Sequence, residues 1–567
     1  MRSKYPAIIM ASVLFLLCIP ISNAAESQEL LELRNTILNL VDELVAQGVF
    51  SSEKAAQMKA QATIKARDQA AQASIAAGEV REEAPALGAA PAGQPVLRVP
   101  YVPEFVKDDI RDQVREELAA DVTKDVVAVA RAEKWGTPDA LPDWISNIKL
   151  SGDMRLRYLG LFTEKSNNQQ IPNLQKINSA GGAGLAGQDA FLNTTEDLHR
   201  AQVRARIGLV ALMSDNFSFG VRLATGNVTN PISRNQTLGN YNSAFDMVID
   251  QAYLQWQSDE LWGKHALALR GGRVPNPFVY TPLVWDDDLT MDGLTAAYSG
   301  PLFGDSRYFT NLGGFTLLAM EANKADSSAN MKYWWGGQLG FDLNFSDKVS
   351  ILIAGAYYDF IDVTGEMNDF QSNSKDWTAP AFIVKGNTVY DIRNDLDPNT
   401  NLFALASEFK LWNATTEFDW HVAGPVHFIL RGDYVQNSGF DRNKVSSRTG
   451  ADVMKRNEGW LADLKIGWPS TTDLGQWQVF GGYRKLQRDA VIDAFTDSDF
   501  HAGGTDSEGW HVGVKIGFAR NAWLRARWLS ANEIDGAPAG FTGADKKPVE
   551  FSPLGIDVVQ VDLNAKF

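Results

Sequence analysis

Cysteine is almost absent from this 567-residue sequence, which contains only Cys18. That residue lies in an N-terminal stretch in which basic residues precede an apolar run at 7–21 and small residues at 22–25. This order is typical of a secretory signal peptide, and we expect residues 1–24 to be removed. The mature chain would then have no thiol for a disulfide, for nucleophilic catalysis or for metal binding.

Long hydrophobic runs are absent after the signal peptide. No later stretch approaches the roughly eighteen consecutive apolar residues that a transmembrane helix requires. The remaining classes are a secreted soluble protein and a transmembrane β-barrel, whose strands alternate apolar with polar residues and therefore have low mean hydropathy. The abundance of glycine, tryptophan, phenylalanine, asparagine and aspartate after residue 148 favours the barrel.

Positive net charge and catalytic motifs are also missing. The formal net charge is -16, which argues against nucleic-acid binding. The sequence has no H-E-x-x-H, P-loop, C-x-x-C or G-x-S-x-G pattern, and its six histidines lack metal-ligand spacing. Residues 182–187 match G-x-G-x-x-G, but the apolar strand that a dinucleotide site requires before it is absent. We therefore predict no enzyme, no cofactor and no resident metal; an outer-membrane lipase is the alternative that a phospholipase assay would test.

Helical patterns and a linker follow the signal peptide. Residues 25–77 are rich in Ala, Glu, Gln, Lys and Leu, and residues 78–103 in Pro, Gly and Ala, which indicates a helical segment followed by a linker. Residues 104–147 contain an amphipathic helix and a lead-in to the next region. The first segment has the seam of a short coiled coil, which needs a partner helix or sister subunits to be stable. This seam consists of Leu30, Leu33, Ile37, Leu40 and Leu44.

At Ile148 the spacing of apolar residues changes to every second position, as in a strand with one lipid-facing and one wet face. Short and long connections then alternate, which is the asymmetry between periplasmic turns and external loops in outer-membrane barrels. We predict an all-β transmembrane antiparallel β-barrel over 148–567, with sixteen strands if 402–422 is one strand. The predicted strands are 148–160, 199–213, 217–226, 247–257, 265–274, 291–300, 312–321, 333–345, 348–360, 402–422, 426–436, 458–467, 475–486, 508–518, 521–530 and 556–567.

The last predicted strand ends in an aromatic residue, Phe567, and every second residue before it is apolar. This ending resembles the signal by which the barrel-assembly machinery recognises outer-membrane proteins. Aromatic residues also collect near other strand ends, where rings prefer the membrane interface. For any single residue of this group, such as Trp334, ordinary packing explains the position equally well. We expect the barrel to contact outer-membrane lipid and lipopolysaccharide, with the N-terminal extension in the periplasm.

Basic residues accumulate on the predicted inward face, because an arginine facing hydrocarbon near the membrane midplane would cost about 2–4 kcal/mol. We interpret them as a pore-lining basic wall that opposes an acidic loop at Asp286, Asp287 and Asp288, and the resulting field would favour anions. In the alternative interpretation, carboxylates neutralise the arginines and the wall is structural. For the three aspartates, a solvated turn is favoured over a divalent-cation site. The wall consists of Arg155, Arg157, Arg204, Arg206, Arg222, Arg484, Lys515, Arg525 and Arg527.

Three short segments resemble a known family. They are LSGDMRLRY at 150–158, LRGGRVPNPF at 269–278 and VWDDDLTMDGL at 284–294. They are similar to the bacterial putative-porin family, whose members join an N-terminal helical segment to an outer-membrane barrel. The resemblance implies an outer-membrane channel, and it supplies no site residues.

The function predicted from these features is that of a porin, a water-filled channel for passive diffusion of small hydrophilic solutes with a preference for anions. The alternative is a structural anchor, in which the barrel holds the helical extension against the cell wall or a periplasmic partner. A sheath around an electron carrier is disfavoured, because the chain has no C-x-x-C-H haem site. A homotrimer is expected either through the helices or through the barrel wall.

Overall fold

The computed structural model describes residues 147–567, apart from 240, 262–263, 320–330, 398 and 536–553. The predicted signal peptide, the helical segment, the linker and the amphipathic helix up to residue 146 lie outside the described residues. Within the described part of the chain, no helix has both the length and the apolar composition needed to cross a membrane.

The strands account for most of the described chain, and they run in the order in which the alternating pattern predicts them. In this part of the chain they are β1 (Ile148–Thr163), β2 (Leu198–Ser214), β3 (Phe217–Thr225), β4 (Gln236–Thr237), β5 (Met247–Leu261), β6 (His265–Pro275), β7 (Thr290–Pro301), β8 (Arg307–Ala319), β9 (Met331–Ser346), β10 (Val349–Ile361), β11 (Val389–Asp391), β12 (Phe403–Leu405), β13 (Phe409–Ala423), β14 (Val426–Asn437), β15 (Glu458–Gly467), β16 (Trp477–Leu486), β17 (Ser507–Ala519), β18 (Ala522–Glu533) and β19 (Gly555–Lys566).

Sixteen of these strands form a closed antiparallel barrel. Each pairs with its neighbours along the chain, and β1 pairs with both β2 and β19, which closes the circle. The two-residue strand β4 pairs with β2 at Gln202 and Val203, beyond the end of β3. The strands β11 and β12 form a separate hairpin in a loop. The predicted barrel and its count of sixteen strands are therefore confirmed.

The predicted strand at 402–422 is divided. Residues 403–405 belong to the loop hairpin, and the barrel strand begins at Phe409. The physical reason is visible in the burial pattern, because every residue from 402 to 407 is buried and none alternates toward lipid. In addition, β8 begins at Arg307, five residues before the predicted start.

The connections alternate between turns of a few residues and long loops, so that the long loops lie at one end of the barrel. Short helices occur within these loops, and we label them α1 (Leu174–Ala180), α2 (Ala183–Ala186) and α3 (Arg442–Thr449). The G-x-G-x-x-G match at 182–187 contains the single turn of α2 and follows α1. A dinucleotide site requires a strand before the glycines, and here a helix precedes them.

The two faces of the barrel wall differ as the alternation requires. On β1, Leu150 and Leu156 point outward and are exposed, whereas Arg155 and Arg157 point inward and are buried. Outward aromatic residues include Trp412, which is 58% exposed. Such exposed apolar residues form the surface that contacts lipid.

Apolar side chains fill one side of the lumen. Trp334 of β9 belongs to this group, since it points inward and is buried, so membrane-interface packing does not explain its position. Its ring stacks on Phe315 of β8 with a centroid distance of 4.3 Å and on Trp285 of the loop 276–289 at 5.0 Å. Tyr358 and Phe360 of β10 complete the cluster. We call these five residues the aromatic cluster, and it holds the loop 276–289 inside the barrel.

Candidate functional site

Six arginines lie side by side on the inward face where the barrel closes. The pairing of β18 with β19, of β19 with β1 and of β1 with β2 brings them together from distant parts of the chain. Because each occupies an alternate position on its strand, all six point into the lumen. We call this set the arginine wall; it consists of Arg155 and Arg157 on β1, Arg204 and Arg206 on β2, and Arg525 and Arg527 on β18.

Two strand carboxylates are interleaved with the arginine wall. Asp562 of β19 is fully buried and accepts from Arg157 at 2.7 Å and from Arg525 at 2.5 Å. Asp153 of β1 accepts from Arg206 at 2.7 Å and from Arg204 at 3.0 Å. Asp562 therefore joins arginines of the two strands that flank β19, and Asp153 joins two arginines of β2.

Two loop carboxylates reach the arginine wall from inside the lumen. Asp288 of the loop 276–289 accepts from Arg204 at 2.7 Å and lies 3.4 Å from Arg206. Asp499 of the loop 487–506 accepts from Arg157 at 2.9 Å and also pairs with Arg527. These contacts tie both loops to the barrel wall, so the loops narrow the lumen.

The electrostatics of the loop aspartates differ over three consecutive positions. Burial alone would raise the pKa of Asp288, but Arg204 and Arg206 outweigh it and hold that pKa below its usual range. Burial raises the pKa of Asp286 well above its usual value, and the nearby Asp288 adds to this effect. Asp287 is shifted in the same direction by burial and by Asp288. Of these three aspartates, only Asp288 has a lowered pKa, so only Asp288 is stabilised as an anion beside the arginine wall.

The structure corrects the placement of the acidic loop. We expected Asp286, Asp287 and Asp288 across the lumen from the basic residues, but Asp288 is in direct contact with them. The reason is that Trp285, anchored in the aromatic cluster, directs the following residues toward β2. Asp286 accepts hydrogen bonds from the backbone N–H groups of Asp288 and Ser498 at 2.8 Å, so it shapes the loop.

The other three predicted wall residues lie around the arginine wall. Arg222 of β3 forms a two-pronged contact with the fully buried Asp250 of β5, at 2.9 and 2.8 Å. Arg484 of β16 is buried against Phe500, with 4.7 Å from its guanidinium carbon to the ring centroid. Lys515 of β17 is the cross-strand neighbour of Arg525.

Acidic side chains face the lumen on β13, β14 and β15, several strands away from the arginine wall. Glu417 pairs with Arg431, and Asp419 pairs with His427 at 2.7 Å. Asp433 accepts from Thr281 and from Asn413, both at 2.5 Å. The opposing acidic groups are therefore located on strands.

Sequence reasoning missed two loop residues that contact the arginine wall, Asp499 and Asn235. No pattern could have identified them, because their positions depend on how the long loops fold back into the lumen. Asp562 differs, since its alternate position on the last strand predicts an inward side chain. Within the described residues, no group of His, Cys, Asp and Glu side chains is arranged to hold a metal ion.

Several solved structures are similar to this chain. Among solved structures the chain is similar to OprB of Pseudomonas putida, with 10% identity, coverage of 74% of this chain and 94% of that chain, and a TM-score of 0.41. It is also similar to OmpF of Salmonella typhi (12% identity, 74% and 97% coverage, TM-score 0.36) and to the outer membrane channel DcaP of Acinetobacter baumannii (10% identity, 74% and 97% coverage, TM-score 0.36).

The sequence itself supplies the assignment. No curated protein matches it. A family model described as Putative porin matches residues 34–567, a range that includes all three segments of the resemblance. The chain therefore belongs to the Putative porin family.

Proposed function

We propose that the barrel is a water-filled channel through which small hydrophilic solutes diffuse passively across the outer membrane, with a preference for anions. Family membership and the closed barrel indicate the outer membrane as the location. The observation that carries the anion preference is the composition of the arginine wall. Five of its six guanidiniums share only four carboxylates, which are Asp153, Asp288, Asp499 and Asp562, and the sixth, Arg155, has no ion pair with a described residue.

The size of the barrel supports a channel. Barrels of sixteen to eighteen strands are wide enough to leave an aqueous passage, whereas eight-stranded barrels are filled by their own side chains. Here the loops 276–289 and 487–506 occupy part of that width and are tied to the arginine wall. A permeating solute would therefore pass close to the guanidiniums, where a net positive potential lowers the free energy of an anion.

The charge distribution also supports orientation of dipolar solutes. Basic side chains dominate β18, β1 and β2, while Glu417, Asp419 and Asp433 face the lumen from β13 and β14. Charges of opposite sign on different sides of a narrow passage create a field across it. A solute with separated charges would align in this field as it passes.

Reversal potentials in a KCl gradient across a planar bilayer test the proposal. The wild-type protein should show conductance steps and anion selectivity. Replacement of Arg204 and Arg206 by Gln should shift the reversal potential toward cations, because two positive charges are removed while Asp153 and Asp288 remain. The matched Arg204→Lys and Arg206→Lys double variant keeps both charges and should retain the preference. The proposal would be contradicted if the wild type is cation-selective and the Gln variant has the same selectivity.

The second candidate function, a structural anchor, has one observation in its favour. The aromatic cluster and the loops packed on it fill one side of the lumen. If they block the passage completely, the protein would insert into a bilayer without producing conductance steps. The same recording therefore distinguishes an anchor from a channel.

We also propose assembly into a homotrimer, in which the predicted coiled-coil seam at 25–77 supplies the helical contacts. A seam this short needs sister helices to be stable. Deletion of residues 25–140 followed by sizing in detergent tests this assignment. A trimer that persists after the deletion would place the contacts on the barrel wall.

A further inference from the structure

One member of the arginine wall, Arg155, differs from the other five. Its side chain is only 9% exposed, and its Nη2 donates one hydrogen bond, to Oδ1 of Asn235 at 2.8 Å. Its Nε, like that of Arg204, is buried without a hydrogen-bond acceptor. Among the residues that the structure describes, no carboxylate forms an ion pair with it.

The surroundings of Arg155 are also cationic. Arg204 lies directly opposite it on β2, and Arg157 follows two residues later on the same face of β1. Both neighbours already have two carboxylates each: Asp153 and Asp288 bind Arg204, and Asp499 and Asp562 bind Arg157. On the other side, the cross-strand neighbour on β19 is the neutral Asn564.

This arrangement leaves a buried positive charge that no described carboxylate contacts, although Asp288 and Asp499 lie near enough to attract it. A guanidinium stays protonated at physiological pH, so it cannot relieve the cost of burial by losing a proton. A buried charge is unfavourable unless it is paired and hydrogen-bonded. An anion from solution that reached Arg155 would satisfy both conditions.

One edge of Arg155, which is occupied only by Asn235, has the geometry that two adjacent oxygens require. Nε and Nη2 lie on one edge of the planar guanidinium, and a carboxylate can accept from both at once. The structure contains two examples of this contact. Arg157 binds Asp562 through Nε and Nη2 at 2.7 and 3.1 Å, and Arg222 binds Asp250 through the same two atoms at 2.9 and 2.8 Å.

We propose that Arg155 is the centre of a binding site for small carboxylate anions in the lumen. The carboxylate replaces Oδ1 of Asn235 on Nη2 and accepts a second hydrogen bond from Nε. Asn235 lies in the loop 226–246, next to the short strand β4, and its Oδ1 is the acceptor that the carboxylate displaces. The proposal rests on the proposed channel function, since it names the class of solute that the arginine wall binds.

Binding of acetate to the full-length protein in detergent tests the site, with ligand-observed NMR as the readout. The wild-type protein should bind acetate, and Arg155→Gln should weaken binding at least about tenfold, because the two-pronged contact and the charge are both lost. Arg155→Lys should bind acetate with intermediate affinity, since an ammonium keeps the positive charge but lacks the two parallel N–H groups of a guanidinium. The matched control is Arg307→Gln, which removes one inward charge on β8 that is hydrogen-bonded to Ser299 at 3.0 Å. It should bind acetate as the wild type does.

A second variant tests the same geometry without removing the arginine. Asn235→Asp keeps the shape of the side chain and places a carboxylate next to Nη2. This internal carboxylate should occupy the site, so that acetate binding falls at least about tenfold although Arg155 is present. Acetate binding that is unchanged in Arg155→Gln, or in Asn235→Asp, overturns the proposal.

Single-channel recording separates this proposal from the channel function. If the wild type binds acetate through Arg155 but produces no conductance, the carboxylate site stands and the channel proposal fails. If the wild type conducts and Arg155→Gln binds acetate equally well, the channel stands and the site fails.

Discussion

Along β8, β9 and β10 the lumen face is aromatic, whereas along β18, β19, β1 and β2 it is ionic. The loop 276–289 contacts both: Trp285 packs in the aromatic cluster, and three residues later Asp288 pairs with Arg204. Apolar packing requires no partner charge, so the aromatic side fixes the loop in place. The ionic side depends on a balance of charges, so we expect it to respond to pH and to solutes. The same loop is thus held by apolar packing at Trp285 and by an ion pair at Asp288.

The largest effect is expected from breaking the aromatic side. Trp285→Ala removes a side chain that is 1% exposed, and the free energy of unfolding should fall by about 3–5 kcal/mol. The loop would lose its anchor, Asp288 would leave the arginine wall, and single-channel conductance should rise. Urea unfolding in lipid vesicles and bilayer recording measure the two effects. Trp412→Ala, on the lipid face, is the control and should leave conductance unchanged. Equal conductance in Trp285→Ala and wild type would show that the loop does not narrow the passage.

Substitutions on the ionic side should lower stability less than substitutions on the aromatic side, but they should change ion selectivity more. Asp288→Asn removes a charge from Arg204 and Arg206, which keep Asp153 as a partner. We expect a loss of about 1–2 kcal/mol in the free energy of unfolding and a reversal potential shifted further toward anions. Asp287→Asn, at the neighbouring position, is the matched control. A shift of the same size in both variants would assign the selectivity to general loop charge and not to the arginine wall.

The dependence on pH should distinguish the loop carboxylates from one another. Burial raises the pKa of Asp493 to about 7, although the backbone N–H of Val384 donates to it at 2.8 Å. A folded-state pKa above the unfolded value makes the folded state more stable as pH falls from about 7 toward 4. Burial would also raise the pKa of Asp499, but Arg157 and Arg527 hold it below its usual range. Its stabilisation therefore persists throughout this window and is lost only at lower pH.

Thermal unfolding between pH 5 and pH 8 tests this difference. The wild type should be more stable at pH 5, by on the order of 1 kcal/mol in the free energy of unfolding. Asp493→Asn should reduce this dependence, because the amide does not titrate. Asp499→Asn should lower stability at both pH values. A pH dependence that is equal in the wild type and Asp493→Asn would assign the titration to other groups.

The alternating pattern predicted the wall of the barrel because lipid and water act on alternate residues of every strand. It therefore predicted that Arg155 and Arg204 face inward, and it predicted the last strand of the barrel. The pattern failed where loops pack inside the barrel. Trp334 is apolar and inward because loop side chains cover it, and residues 402–407 are buried on all sides. Asp499 and Asn235 were beyond prediction, since the conformation of a long loop depends on the wall that it contacts.

The smallest effect on stability is expected at an arginine of the ionic side that has no ion pair with any described residue. Arg200 of β2 faces the lumen above the arginine wall and is half-buried. Arg200→Gln should change the free energy of unfolding by less than about 0.5 kcal/mol, while the reversal potential moves slightly toward cations because one lumen charge is lost. The matched variant Arg222→Gln removes the closer of the two arginines that pair with the buried Asp250, leaves Arg234 at 3.7 Å, and should destabilise the fold by about 3 kcal/mol. Urea unfolding of the two variants compares an uncompensated charge with a paired one on the same inward face. Equal destabilisation would mean that pairing does not determine which lumen arginines hold the barrel together.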